Sequence, residues 1–312
     1  MEEHNMNIIL QLALLAVGFV MLVKGSDWFV DGAASIAAKF RIPQIIIGLT
    51  IVAMGTSAPE AAVSITAASA GSADITVGNI VGSNILNVLV ILGLASAIVP
   101  IAVSKSTQKV DAPFMIGISG LFLSLGCDGK ITRMDGVILL ICFVSYIGYM
   151  IWEALHSNEE AEEIKDMKIW QMCLATVGGL ALVVWGADVA VDAATELATI
   201  FGMSERFIGL TVVALGTSLP ELFTSVTAAR KGNADIAIGN IVGSNIFNIL
   251  FVVGLSSMII DVPFAANFRI DMMVALAAAL FMWAASLKGK KLVRWHGIVM
   301  LLGYVAYFLY LL

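Results

Sequence analysis

Gly48-Leu-Thr-Ile-Val-Ala-Met-Gly-Thr-Ser-Ala-Pro-Glu60 and, later, Gly209-Leu-Thr-Val-Val-Ala-Leu-Gly-Thr-Ser-Leu-Pro-Glu221 are two writings of one thirteen-residue stretch. Each sets a hydroxyl pair, a helix-breaking proline and a glutamate inside a segment otherwise apolar enough for lipid. A charged side chain near the centre of a membrane-spanning helix costs at least about 2.5–3.5 kcal/mol, so an intramembrane carboxylate is read as functional. Two such carboxylates, related by repeat, point to one shared cation site.

Outward from these stretches, a shift of 161 residues superposes the two halves of the chain without a gap. Positions 47–87 match positions 208–248 at about two residues in three. The same shift pairs Gly25 with Gly186, Asp27 with Asp188, Asp31 with Asp192, Gly136 with Gly297 and Tyr146 with Tyr307. The duplication therefore covers nearly the whole chain.

Composition sets the solvent. With 60% hydrophobic and 13% charged residues in 312, the chain reads as a polytopic membrane protein with no room for a sizeable soluble domain. Apolar windows long enough to cross about 30 Å of hydrocarbon fall near 7–36, 44–70, 74–100, 111–127, 134–152, 168–198, 206–229, 235–260, 270–287 and 294–312. The prediction is an all-α membrane protein of ten transmembrane helices. Its first five-helix repeat spans 1–152, an acidic cytoplasmic linker 153–167, and the second repeat 168–312.

Five spans per half is an odd number, so the two copies enter the membrane in opposite directions as inverted repeats. In secondary transporters that architecture places the binding site at the midplane. Placing the N-terminus outside puts twelve Lys and Arg residues in the cytoplasm, against Lys130, Arg133, Arg206 and Arg269 outside. Both termini are expected to be extracytoplasmic. The N-terminus lacks a basic region and a cleavage motif, so the first span is expected to be retained. Asp27, Asp31, Asp188 and Asp192 lie toward the ends of long spans and are expected to sit in the interface.

Clustered basic residues are absent, which argues against nucleic-acid binding. Cys127, Cys142 and Cys173 have no metal-type spacing, and His4, His156 and His296 lie outside span centres, so zinc or copper has no ligand set. No cofactor and no obligatory protein partner are expected.

Pro59 and Pro220 lack an N–H, and their rings clash with the carbonyls of Gly55 and Gly216. A broken helix is tolerated at membrane depth only where protein or a polar cavity satisfies the freed backbone. The polar side chains around the break are all oxygen donors: Thr56, Ser57 and Glu60 in one half, Thr217, Ser218 and Glu221 in the other. A second shared segment, Gly78 to Asn87 and Gly239 to Asn248, stacks Asn79, Ser83 and Asn87, and likewise Asn240, Ser244 and Asn248, on one helix face. Gly78 with Gly82 and Gly239 with Gly243 read as packing positions. Hard cations such as Ca²⁺ want six to eight oxygens, and one Ca²⁺ or two Na⁺ would neutralise the glutamate pair. Hydroxyls and amides that merely join helices would explain the neutral residues. They would not explain a glutamate at the same place in both halves.

GTSAPE and GTSLPE, each followed by GNIVGSN, resemble the paired alpha-repeats of the calcium/cation antiporter superfamily, specifically the sodium/calcium exchangers of the compact prokaryotic type. The repeats cover about 44–100 and 206–260. The resemblance implies a cluster of cation sites among the second, third, seventh and eighth spans, with the first and sixth as candidates for a moving gate. Its ligand set carries over to Ala53, Thr56, Ser57, Glu60, Ser83, Asn87, Ala214, Thr217, Ser218, Glu221, Ser244 and Asn248, the two alanines through their carbonyls. Potassium-dependent relatives, and some archaeal ones, carry Asp where this chain has Asn248, which argues against potassium dependence. The expectation is a potassium-independent Na⁺/Ca²⁺ antiporter in a prokaryotic inner membrane, electrogenic if a third Na⁺ accompanies the two that cancel the glutamates. The alternatives are an H⁺/Ca²⁺ antiporter using the same glutamates, an enzyme with Ser57 or Ser218 as nucleophile but no credible base, and a calcium sensor that does not transport.

Overall fold

The computed structural model describes residues 2–156, 167–203 and 214–311. Its helices are α1 (Glu2–Phe40), α2 (Gln44–Thr56), α3 (Ala58–Ser69), α4 (Ile75–Ile98), α5 (Thr107–Asp128), α6 (Arg133–His156), α7 (Ile169–Ile200), α8 (Leu219–Arg230), α9 (Ala234–Ile259), α10 (Ala266–Leu287) and α11 (Arg294–Leu311). A short turn, Ala214–Gly216, precedes α8. Seven of these helices are long and apolar enough to cross a membrane; α2 and α3, bent by 49° where they meet, make an eighth span if taken together. The molecule is a mostly helical, multi-pass membrane protein. The centre of the predicted linker and the start of the second copy of the motif, Gly209 to Val213, lie outside the described residues.

Burial sorts the helices into an inner and an outer set. The most apolar window of α9 is 94% buried and that of α4 78%, against 17% for α1 and 22% for α6. The outer helices turn Ile9, Val20, Val144, Leu174, Trp185 and Leu302 outward, as a lipid-facing surface requires. The inner helices must satisfy every polar group within the protein, because the hydrocarbon offers no hydrogen bonds.

Two helix pairs meet at glycines. α1 crosses α7 over a long contact in which a Cβ on Gly25 would lie 2.8 Å from the Val183 amide nitrogen; only hydrogen fits there. α9 lies against α2 in the same way, since a Cβ on Gly243 would come 2.5 Å from the Leu49 carbonyl oxygen. Gly239 and Gly243 are thus close-approach positions, as the spacing predicts. For Gly78 and Gly82, the counterparts of Ile45, Gly48 and Leu49 fall within 204–213, outside the described residues.

Two short antiparallel ribbons tie the loops together. β1 (Ile101–Ala102) pairs with β4 (Lys291–Leu292), and β2 (Lys130–Ile131) pairs with β3 (Val262–Pro263). Beside the second ribbon Lys130 Nζ donates to Asp261 Oδ2 at 2.7 Å. That hydrogen bond holds the Asp261 carboxyl below its usual range and raises the Lys130 ammonium.

Asp27 and Asp31 sit where α1 meets the end of α8 and pair with Lys231. Asp188 and Asp192 are exposed on α7.

Candidate cation site

The first turns of α3 and α8 aim the two glutamates at one point. Pro59 and Pro220 each stand within the first two positions of their helix, where the missing N–H costs nothing, and Glu60 and Glu221 follow in the first turn. The exposed N–H groups of a helix start favour a negative charge nearby. Ser57 and Ser218 occupy the N-cap positions, yet neither hydroxyl caps its own helix. Each crosses instead to the other half of the chain: Ser57 Oγ donates to Glu221 Oε1 at 2.8 Å, and Ser218 Oγ donates to Glu60 Oε1 at 3.3 Å. Ser83 Oγ also donates to Glu60 Oε1 at 3.4 Å.

α4 and α9 supply the rest of the cluster. Asn79 Nδ2 donates to the Glu60 carbonyl and to Ser64 Oγ, and Asn240 Nδ2 to the Glu221 carbonyl and to Ser225 Oγ. These bonds lock each glutamate-bearing turn against its neighbouring span. Thr56 Oγ1 donates to Asn240 Oδ1 at 3.0 Å, and Ser244 Oγ to the Ala53 carbonyl at 3.4 Å. Asn87 and Asn248 each open a π-helical stretch, Asn87–Leu92 and Asn248–Val253. Such wider turns recur at functional sites because they re-aim side chains and free backbone groups.

Asn84 and Asn245 were not among the expected ligands, since they lie off the Asn79–Ser83–Asn87 stripe. They hold the two inner spans together. Asn84 Nδ2 donates to the Asn245 carbonyl at 3.4 Å and Asn245 Nδ2 to the Asn84 carbonyl at 3.3 Å. Their side-chain oxygens accept from Asn87 Nδ2 at 2.9 Å and Asn248 Nδ2 at 3.1 Å. Asparagine at the same place in both copies of GNIVGSN was the available signal.

Ser57, Glu60, Asn87, Glu221, Ser244 and Asn248 have at most 3% of their surface exposed, as does Ser218. Most of their polar atoms are paired. Those without a hydrogen-bond partner are Glu60 Oε2, Glu221 Oε2, Asn87 Oδ1 and Asn248 Oδ1. All four are acceptors. Burying an acceptor without a donor is costly, and oxygens of carboxylates and amides are the ligands hard cations take. The donor set therefore fits the transported cation that the sequence points to.

Of the expected ligands, Ala53, Thr56, Ser57, Glu60, Ser83, Asn87, Ser218, Glu221, Ser244 and Asn248 are joined in this network. Thr217 instead lines an adjacent cavity of about 460 Å³, together with Ala58, Pro59, Gly216, Asp188 and Asp192. Ala214 heads the turn before α8, and the segment leading to it lies outside the described residues.

The profile of the sodium/calcium exchanger protein family matches residues 10–152 and 172–312. CaxA of Alkalimonas amylolytica is 41% identical over 93% of this chain and 95% of its own. The sodium/calcium exchanger MaX1 of Methanosarcina acetivorans is 31% identical over 94% of this chain and 96% of its own. Among solved structures, the sodium-calcium exchanger NCX_Mj, soaked with zero Na⁺ and Ca²⁺, superposes with a TM-score of 0.87 at 33% identity, covering 98% of this chain and 100% of that one. MaX1 and NCX_Mj are exchangers, not enzymes, which sets aside a serine nucleophile. With both halves matched by one profile and full-length relatives of the same kind, the chain belongs to the sodium/calcium exchanger protein family.

Proposed function

We propose that the protein exchanges Na⁺ for Ca²⁺ across a prokaryotic inner membrane by alternating access, without K⁺ and with net movement of charge. The observation that carries this reading is the reciprocal arrangement of the two glutamates. Each accepts a hydrogen bond from the serine of the opposite half, and each keeps one buried oxygen without a partner. A cation bound between them would meet Glu60, Glu221, Asn87 and Asn248 at once, with Ser and Thr hydroxyls and the Ala53 and Ala214 carbonyls completing its shell.

The charge balance sets the exchange. Two carboxylates are cancelled by one Ca²⁺ or by two Na⁺, so either ion relieves the cost of the buried charges and the two compete. A third Na⁺ on the neutral oxygens would make each cycle carry one net charge. Neutral amides at both Asn87 and Asn248 leave no third carboxylate for K⁺.

The same reciprocity supports the architecture proposed with it. Ten spans in two inverted five-helix repeats, 1–152 and 168–312, with both termini outside, account for paired bonds that map onto each other under the 161-residue shift: Ser57–Glu221 with Ser218–Glu60, and Asn87–Asn245 with Asn248–Asn84.

Calcium uptake into liposomes containing the purified protein tests the function. Uptake should follow an outward Na⁺ gradient, proceed without K⁺, and respond to membrane voltage. Uptake driven by a proton gradient in the absence of Na⁺ would instead favour H⁺/Ca²⁺ exchange by the same glutamates, and binding without flux would indicate a sensor.

A further inference from the structure

Among the described residues, the two halves depart from their mutual symmetry where the outer helices meet the glutamate-bearing ones. α1 packs along α8, whereas α7, the counterpart of α1, hardly touches α3, the counterpart of α8. Between α7 and α3 lies the 460 Å³ cavity that reaches Pro59 and Thr217. On the packed side Lys231, just past the end of α8, donates to Asp31 Oδ1 at 2.8 Å and to the Asp27 carbonyl at 2.9 Å, and its ammonium lies 3.3 Å from Asp27 Oδ1. Ser26 Oγ and Thr227 Oγ1 add a hydrogen bond at 2.9 Å. The 161-residue shift carries Lys231 to Ala70 and Ser26 to Ala187. Neither alanine can make the mirror bond.

α1 and α7 share a small apolar cluster, Leu22, Val183, Ala187 and Ala190, against which Leu219 and Phe223 of α8 also pack. The contact between α1 and α7 is far more extensive than that of α1 with α8 or of α7 with α3, so the two can move against the site-bearing spans as a unit. Leaning one way, the pair closes α1 onto α8; leaning the other way, it would close α7 onto α3.

We propose that Lys231 is a one-sided latch: by bridging α8 to Asp27 and Asp31 it holds α1 closed over its own face of the site and biases the exchanger toward the state open along α3. The sequence supplies no matching latch at Ala70, so the two access states are unequal. The inference rests on the alternating-access reading, in which Lys231 lies at the cytoplasmic ends of its spans. Lys231 is a positioning residue; it touches neither glutamate.

A partly exposed ion pair has a modest effect, so the expected change is a population shift of about threefold to tenfold and not a loss of transport. In a background where the three cysteines are replaced, Thr227→Cys on α8 and Thr66→Cys, its mirror on α3, report the two faces through thiol labelling rates. The Thr66→Cys thiol should label readily and the Thr227→Cys thiol slowly. Adding Lys231→Met should speed labelling at Thr227→Cys several-fold, and the charge swap Lys231→Asp with Asp31→Lys should return it toward the starting rate. Ala70→Lys should slow labelling at Thr66→Cys by giving α3 a cation facing Asp188 and Asp192. Unchanged labelling with Lys231→Met, or no recovery in the charge swap, overturns the latch. Na⁺-driven calcium uptake is measured on the same preparations. Its absence from the parent protein would overturn the exchange reading, while the labelling rates would still decide the latch.

Discussion

At the scale of single residues, the two Ser-x-Pro-Glu segments could have been ordinary helix starts. Ser at an N-cap with Glu three residues on is the signature of a capping box, in which the two side chains satisfy their own helix. Here both serines turn away from their helix and donate to the glutamate of the opposite half. The carboxylates are then held by serines of the opposite half, and one oxygen on each has no hydrogen-bond partner. Glu60→Gln and Glu221→Gln keep the shape and the hydrogen-bond acceptor but remove the charge. Each should weaken calcium binding by about 3 kcal/mol, roughly a hundredfold, and reduce flux to background while the melting temperature in detergent falls little. Wild-type flux in either variant would remove these residues from the ion site. Asn248→Asp places a third carboxylate beside Ser83 and Asn84. It should make calcium uptake depend on pH over a range where the parent is flat, because the added group must lose its proton before it binds a cation; superimposable pH profiles would contradict the placement.

At the scale of elements, the apolar windows place nearly every helix, and the proline positions locate the bend between α2 and α3. The π-helical stretches at Gly48–Val52, Asn87–Leu92 and Asn248–Val253 could not be read from the sequence. A wide turn differs from an α-helical one by a single hydrogen-bond register, and no residue type marks it; it is settled by what packs across the helix. Contact between α9 and α2 makes that dependence testable. Gly243→Val would drive a side chain into the Leu49 carbonyl and the Ala53 side chain, whose carbonyl accepts from Ser244. Overpacking of this kind costs about 1–3 kcal/mol. A lower melting temperature is expected, together with a loss of calcium affinity larger than stability alone explains. An unchanged melt would show that the two helices can part freely.

At the scale of the whole molecule, the repeat and the balance of Lys and Arg predict which loops face which side. In a cysteine-free background, an impermeant thiol reagent applied to intact cells should label Asp128→Cys, beside the β2–β3 ribbon, and leave Lys288→Cys, beside the β1–β4 ribbon, unlabelled until the membrane is opened. The opposite pattern would invert the proposed orientation.

Taken alone, the chain determined that it lives in a bilayer, that it is two copies of one pattern, and that a glutamate in each copy needs a reason to be there. Those conclusions follow from local quantities: hydropathy, spacing, and the cost of a charge in hydrocarbon. The tertiary structure alone decided that Ser57 serves Glu221 and Ser218 serves Glu60, that Asn84 and Asn245 clasp the inner spans, and that α1 is shut against α8 while α7 stands off from α3. Each of these depends on residues more than a hundred positions apart meeting in space, and a repeat that is symmetric in sequence leaves open which of its two faces is closed.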